Sequence, residues 1–308
     1  MGCQVFPTEA ALHRGRPSFR LAGGTLAGYH PCLTDVSFRK GPEMKRKLAV
    51  VGAAGRMGKR IVALALESGR FDVVGAIDAK DHPDLGKDAG LLAGAGALNV
   101  PVNDSCPTDP DVVIDFSLPE AAGNTLRHCT DNRIPLVIGT TGLDAEQQAV
   151  VAKAAKTIPL IYGTNMSVGM NVLFALVGKA AAMLGPDYDI EIIEQHHRFK
   201  KDAPSGSALT LAEKVCQATG RDYPDCLAHG RSGKNALRQA GEVGVHAIRA
   251  GDIVGVHSVI CSTLGETVTL NHTAHSRDTF VRGALRAAEW LIGKDPGLYS
   301  MADVLGLK

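Results

Sequence analysis

A glycine-rich turn between an apolar segment and an amphipathic segment constrains the fold of this chain more than any other feature. Residues 48–51 (LAVV) suit a buried parallel strand, and residues 52–58 then read GAAGRMG. Apolar residues recur at helical spacing over residues 56–67. Glycines let the backbone turn sharply and approach a pyrophosphate, which the N–H groups at the start of a helix can bind. This order predicts the first unit of a dinucleotide-binding sheet.

An acidic residue stands where such a site needs one. The next predicted strand, residues 71–77, ends at Asp78, where a carboxylate can accept hydrogen bonds from ribose hydroxyls. The glycine spacing is GxxGxxG rather than GxGxxG, so the prediction of a nicotinamide dinucleotide site depends on this context. Asp78 repels a 2′-phosphate and is followed by Ala79, whereas Arg56 and Lys80 could bind one. We expect a preference for NADH, with NADPH tolerated.

The rest of the chain has two parts with different patterns. Strands and helices alternate up to residue 162, which is typical of a parallel sheet with helices on both faces. After residue 167 two helices flank one strand, and three strands then follow at 242–248, 254–261 and 266–272. The predicted fold class is therefore α/β: a Rossmann-type doubly wound parallel sheet with a second α+β domain carrying a mostly antiparallel sheet. A final helix at 278–292 could return to the first domain, and a cleft between the domains would take a small substrate.

Composition argues against several functional classes. The 33 Lys and Arg residues against 32 Asp and Glu residues leave no basic excess of the kind that nucleic-acid binding needs. The 7 Cys residues form no C-x-x-C pair, so we expect reduced thiols in a cytoplasmic protein, with no metal site. Residues 157–178 carry no charge, but their Pro, Asn and Gly residues divide them into a strand, a loop and a helix. We therefore expect no membrane segment.

The first 43 residues differ from the rest, being basic, poor in acids and without a sustained period. We expect them to be an extension outside the fold, either disordered or upstream of a start at Met44. The alternative is an organelle transit peptide, which would change the predicted location.

Three further segments lie where ligands are expected. Residues 139–142 (GTTG) follow the fourth strand and residues 162–167 (YGTNMS) follow the fifth, at the carboxyl edge of the sheet. Residues 194–207 (EQHHRFKKDAPSGS) form the densest polar run and link a strand to a helix, with Asp202 or Ala203 expected as its cap. Backbone N–H groups at the start of this helix could bind a carboxylate, and a His or Lys side chain could donate a proton. The alternative is a solvated loop; a zinc site at the two His residues lacks a third ligand.

Together these motifs resemble bacterial dihydrodipicolinate reductases (4-hydroxy-tetrahydrodipicolinate reductases). The resemblance extends from Lys47 to about Leu305 and is most specific over residues 196–206. It is carried by residues 52–58, 139–142, 165–169 (NMSVG), 194–200, 202–207 and 249–255 (RAGDIVG).

The resemblance implies an activity, an assembly and roles for individual residues. The family reduces a cyclic dicarboxylate with NADH or NADPH in lysine and diaminopimelate biosynthesis. Residues 44–166 plus 277–308 would bind the dinucleotide, and residues 167–276 would bind substrate and form a homotetramer. His196 and Lys200 would be catalytic, whereas His197, Ser205, Gly206 and Ser207 would bind substrate. The cofactor contacts would be Gly52, Ala53, Ala54, Gly55, Arg56, Met57, Asp78, Gly139, Thr140, Thr141, Gly163, Thr164, Asn165 and Met166.

The chain departs from the family pattern in places, and other functions compete. Ser207 stands where Thr is common, Ala79 where NADPH-competent members carry Arg, and Phe199 where the residue is often polar. One alternative is another NAD-dependent oxidoreductase, such as an amino-acid or aldehyde dehydrogenase. The latter would need a nucleophilic Cys in the cleft, and no Cys lies near residues 194–207. The other is a regulator that senses NAD(P)H, which would have no need of a proton donor.

Overall fold

The structure, a computed structural model, describes residues 44–307. The expectations for residues 1–43 lie outside this range. The strands in chain order are β1 (Arg46–Val51), β2 (Phe71–Ile77), β3 (Val102–Asn103), β4 (Val112–Asp115), β5 (Leu136–Ile138), β6 (Pro159–Tyr162), β7 (Asp189–His196), β8 (Leu227–Ala228), β9 (Val243–Arg249), β10 (Gly255–Thr263), β11 (Glu266–Ala274) and β12 (Gly297–Tyr299). The helices are α1 (Arg56–Ser68), α2 (Ala89–Leu92), α3 (Pro119–Asn132), α4 (Ala145–Ala154), α5 (Val168–Leu184), α6 (Gly206–Thr219), α7 (Asp278–Leu291) and α8 (Met301–Leu305).

The first sheet has seven strands in the order β12-β6-β5-β4-β1-β2-β3, all paired in parallel. Its strands are buried on both faces because helices cover each side. Leu48 and Val50 of β1 face the core under α1 and α7, whereas Ala49 and Val51 face the core under α3 and α4. The prediction of a doubly wound parallel sheet is confirmed. Helix α7, near the end of the chain, packs on this sheet.

The second sheet is mixed, with the order β11-β10-β7-β9-β8. Strands β11, β10 and β7 pair antiparallel, but β9 pairs in parallel with β7, and β8 with β9. The expectation of a mostly antiparallel sheet therefore holds for β7, β10 and β11 but not for β9, which lies on the opposite side of β7 from β10. The segment between β7 and β9 includes α6, and a crossover of this kind is what parallel pairing requires. Helices α5 and α6 cover one face of the sheet and bury its core.

The uncharged segment at residues 157–178 divides as predicted into β6, a loop and the first part of α5. No helix within residues 44–307 combines the length and the hydropathy that crossing a bilayer requires. The elements that the sequence patterns did not predict, α2, β3, β8, β12 and α8, have two to five residues each.

Candidate active site

The turn between β1 and α1 has room only for glycine at two positions. Gly52 has φ +78°, and a Cβ there would lie 2.6 Å from the carbonyl oxygen of Phe116. A Cβ at Gly58 would lie 2.0 Å from the Gly52 carbonyl oxygen, so α1 can approach the turn only without a side chain. Gly55 is the N-cap, and α1 begins at Arg56. Because Gly55 has no side chain to cap α1, the N–H groups of the first turn are left for a ligand's phosphate groups, which fits a dinucleotide.

Asp78 lies at the adjacent strand end, in a cleft of about 630 Å³ that Gly52, Gly55 and Lys80 also line. Its Oδ2 accepts a hydrogen bond from Ala54 N at 2.9 Å, and its Oδ1 accepts one from Ala79 N at 2.9 Å. The cleft opens beside β1, between β4 and β2, where the direction of strand order reverses. Doubly wound sheets bind their ligands at this point. The cofactor prediction for these residues thus coincides with a cleft of suitable position.

The other predicted residues of the turn have different surroundings. The Ala53 N–H donates to the Ile77 carbonyl at 3.0 Å, and the Ala53 and Ala54 side chains are buried. Arg56 is exposed, and Met57 is half-buried against the core. Of this turn, Gly52 and Gly55 are the residues that line the cleft.

The loop after β5 packs against Asp115 and Phe116 at the end of β4. Thr140 is buried, and its hydroxyl donates to Asp115 Oδ1 at 3.0 Å, so this side chain is directed into the protein. A Cβ at Gly139 would lie 2.2 Å from the Phe116 ring, whereas Thr141 is exposed. Phe116 itself lines the cleft, and no sequence pattern predicted it. Its place directly after β4 is the signal that could have identified it.

The loop after β6 reaches the other predicted site. Gly163, Thr164 and Asn165 line a second hollow, of about 690 Å³, beside α5 and α6. Met166 is buried. The Asn165 Nδ2 donates to the Ser207 hydroxyl at 2.9 Å. The predicted cofactor residues therefore form two groups, and the second group is hydrogen-bonded to the predicted substrate residues.

Helix α6 begins at Gly206, two residues after Pro204. Its N-cap is Ser205, whose hydroxyl accepts from Ala208 N at 3.2 Å, so neither Asp202 nor Ala203 is the cap. A serine hydroxyl satisfies an N–H of the first turn as well as a carboxylate would. Gly206 and Ser207 are then the first two residues of the helix, where backbone N–H groups favour an anion.

A polar cluster lies on one face of the second sheet. Because side chains alternate along a strand, Glu194 and His196 share the face of the buried Ile190 and Ile192 of β7. Parallel pairing sets Arg249 of β9 opposite His196, and antiparallel pairing sets His257 of β10 opposite Glu194. The core face of the sheet thus becomes polar where β7 ends.

Glu194 is the centre of this cluster and is fully buried. Its Oε2 lies 2.5 Å from His196 Nδ1, and its Oε1 accepts from Ser205 N at 3.0 Å. The Arg249 guanidinium donates to both carboxylate oxygens, at 2.8 and 2.7 Å. Burial is the largest single influence on Glu194 and raises its pKa, yet the hydrogen bonds from Arg249 and His196 hold the pKa below its ordinary value. The carboxylate is therefore charged.

Both histidines of the cluster favour the neutral form. Burial lowers the pKa of His196, and the charges of Lys200 and Arg249 lower it further against the opposing effect of Glu194. Burial and the neighbouring His196 lower the pKa of His257 to about 4. The two rings pack edge-on with centroids 5.2 Å apart, and His257 Nε2 lies 3.2 Å from the Ser205 hydroxyl.

The remaining predicted residues lie in the turn after β7. Lys200 Nζ forms an ion pair with Asp202 at 2.9 Å, and its charge acts on His196. The Asp202 carbonyl accepts from Arg249 at 2.6 Å, which ties the turn to β9. His197 lies beside Phe199, and its Nδ1 is buried without a partner among the described residues.

The structure thus brings His196, Lys200 and Ser205 into one cluster. The residues that sequence patterns left without a role are Glu194, Arg249 and His257. The two-residue spacing of Glu194 and His196, continuing the face of Ile190 and Ile192, is the signal that could have identified Glu194.

Comparisons with known proteins find one family for both parts of the chain. Family models described as "Dihydrodipicolinate reductase, N-terminus" and "Dihydrodipicolinate reductase, C-terminus" match residues 46–166 and 169–305. The chain is similar to 4-hydroxy-tetrahydrodipicolinate reductases of Trichlorobacter lovleyi and Geobacter metallireducens, each 46% identical over 85% of this chain and 99% of the relative. A dipicolinate-bound dihydrodipicolinate reductase of Paenisporosarcina sp. TG-14 has a similar fold, with a TM-score of 0.65 at 23% identity over 84% of this chain and 99% of that one.

Proposed function

Since the chain belongs to the dihydrodipicolinate reductase family, we propose that it reduces 4-hydroxy-tetrahydrodipicolinate (dihydrodipicolinate) to tetrahydrodipicolinate with NADH or NADPH, in lysine and diaminopimelate biosynthesis. The observation that carries this proposal is the cluster of His196, Lys200 and Ser205 at the start of α6, hydrogen-bonded through Ser207 to a loop of the dinucleotide-binding sheet. Oxidoreductase chemistry needs these two sites together.

The dinucleotide is held along the carboxyl edge of the first sheet. The glycine turn and the first turn of α1 bind the pyrophosphate, and Asp78 accepts hydrogen bonds from a ribose. The loop of residues 163–165 would hold the nicotinamide end, because it is the part of this edge that reaches α6. When bound, the dinucleotide supplies the hydride.

The start of α6 binds the substrate's carboxylate. The backbone N–H of Gly206 and the hydroxyl of Ser207 lie at the positive end of the helix dipole, where a negative charge is stabilised. His197 and the Lys200 ammonium contribute further donors from the turn after β7. This array selects an anionic ring over an uncharged one.

Two groups are available for the proton that reduction requires at the carbon beside the reduced position. His196 exchanges it through Nε2, because Nδ1 is engaged by Glu194. Lys200 is the second donor, and its ammonium also counters negative charge as it develops. The elimination of water also needs a general acid, which the same pair can supply.

We further propose that residues 44–166 plus 277–308 and residues 167–276 are the two functional domains. The second would assemble a homotetramer in the cytoplasm. The long β11 is the outer strand of the second sheet, so its free edge is available for pairing between copies.

The test is oxidation of NADH, followed by its absorbance, with freshly generated 4-hydroxy-tetrahydrodipicolinate, repeated with NADPH. Rapid turnover is expected with both cofactors, faster with NADH because Asp78 disfavours a 2′-phosphate. Binding of NADH without turnover would contradict the proposal and favour another oxidoreductase or an NAD(P)H-sensing regulator.

A further inference from the structure

We infer that Glu194 is a positioning residue: it fixes the orientation and the tautomer of His196, and it couples that ring to the helix start that receives the substrate's carboxylate. The inference rests on the proposed function and deepens it, because it states how the proton donor is prepared.

Glu194 is charged although it is buried. A carboxylate removed from water is costly unless it is paired and hydrogen-bonded. Glu194 is fully buried and is compensated by Arg249, which spans both of its oxygens, and by Ser205 N. It lies on β7, the strand between β9 and β10, and both neighbouring strands are hydrogen-bonded to β7 at this point.

The charge of Glu194 fixes the tautomer of His196. An ionised carboxylate only accepts hydrogen bonds, so His196 Nδ1, at 2.5 Å from Glu194 Oε2, is the donor. In the neutral ring the proton is then on Nδ1, so Nε2 is the atom that takes up a proton, and the imidazolium so formed is the species that donates from Nε2. The side chain of His196 is 12% exposed, so part of the ring is accessible, while the buried Glu194 holds its Nδ1 in place.

Glu194 also connects His196 to the start of α6. The second oxygen of Glu194 accepts from Ser205 N, the N-cap of the helix that carries Gly206 and Ser207. Ser205 in turn contacts His257, whose ring packs against His196. A shift of the helix start therefore moves the hydrogen-bonding partners of the His196 ring.

The charges around His196 have opposing effects on its pKa. The inference therefore predicts the direction in which each substitution shifts that pKa. Glu194 favours the protonated ring, whereas Lys200 and Arg249 disfavour it. Glu194→Gln keeps an acceptor for Nδ1 but removes the negative charge, so the pKa of His196 should fall. Arg249→Gln removes a positive charge and leaves Glu194 less compensated, so the pKa of His196 should rise. His257 is neutral near pH 7, and Asp202 is paired with Lys200.

The chain provides a matched control on the same strand. Glu191 lies 2.5 Å from His246 Nε2 and 2.8 Å from Arg231 Nη2, which repeats the Glu–His–Arg arrangement away from α6. Glu191→Gln should leave the pKa of His196 and the reductase activity unchanged.

The experiment is an NMR titration of the histidine rings in the full-length, ligand-free protein, combined with the pH dependence of kcat/KM. Glu194→Gln should lower the pKa of His196 and reduce kcat/KM at pH 7.5 by about tenfold or more, with recovery at lower pH, where His196 is protonated again. Glu194→Asp, which keeps the charge, should recover part of the loss.

An unchanged pKa of His196 in a folded Glu194→Gln variant would overturn the inference, as would an equal loss of activity at every pH. If Glu194→Gln does not fold, Arg249→Gln decides: an upward shift of the His196 pKa supports the inference, and no shift or a downward one overturns it. The titration does not depend on turnover. A parent protein without reductase activity would therefore refute the proposed function and leave this test intact.

Discussion

At the scale of single residues, the proposed chemistry depends on side chains whose surroundings differ sharply from those of their neighbours. Lys200 and Lys201 are adjacent in sequence, yet Lys200 is partly buried beside Asp202 and acts on His196, whereas Lys201 is exposed. Because the two residues are of the same type and adjacent in the chain, comparing their substitutions isolates the effect of the surroundings of Lys200.

Lys200→Ala should lower kcat by about 100-fold or more, because it removes a proton donor and the charge that faces the substrate. Lys201→Ala is the control and should retain near-parental kcat and KM. Steady-state kinetics with the substrate and NADH provide the measurement. Equal kcat values for the two variants would contradict the role of Lys200.

The buried His257 makes stability depend on pH. Its pKa is about 4 in the folded protein against an ordinary value of 6.5, so the unfolded chain binds more protons as the pH falls through this window. The contribution of His257 to stability is complete above about pH 6.5 and is lost toward pH 4, with about 2 kcal/mol lost at pH 5. Urea unfolding at pH 7 and pH 5 should therefore show a smaller decrease for His257→Gln than for the parent.

The exposed His229 gives the control for this prediction. His229→Gln should show the same decrease between pH 7 and pH 5 as the parent. A His257→Gln variant with the parental decrease would show that another group causes the acid sensitivity.

At the scale of elements, the junction of β1 and α1 is set by contact distance rather than by helix propensity. Gly58→Ala places a methyl group against the Gly52 carbonyl, so it should destabilise the protein by about 3 kcal/mol and weaken dinucleotide binding. Gly123 is an exposed glycine of α3 with no atom within 4 Å of an added Cβ. Gly123→Ala should instead stabilise by about 0.5–1 kcal/mol. Urea unfolding measures the stability of the two variants, and NADH titration measures their dinucleotide binding. Equal effects of the two substitutions would refute the steric argument.

At the scale of the whole molecule, the two sheets are joined near the site by the hydrogen bond between Asn165 and Ser207. Asn165→Ala and Ser207→Ala should each lower kcat/KM, and a double-mutant cycle should give a coupling energy of about 1 kcal/mol. Ser207→Thr keeps the hydroxyl and should retain activity. Additive effects of the two Ala substitutions would show that the bond does not couple the sheets.

The sequence by itself determined the long elements, the doubly wound sheet and the segments that carry the chemistry. Apolar periodicity, the glycine turn and the position of Asp78 are local signals, and local signals predict strands, helices and their ends. They also indicated residues 194–207 as the substrate segment, since His, Lys and Ser are concentrated there.

Only the tertiary structure decided which strands pair and which charges meet. The parallel pairing of β9 with β7 depends on the route of the chain through α6, and no pattern within β9 specifies it. That pairing places Arg249 against Glu194, 55 residues away, and so produces the buried charge pair beneath His196. The short strands also form only because longer neighbours offer them partners. Side chains distant in sequence acquire their partners, and with them their protonation, from the register of the sheet.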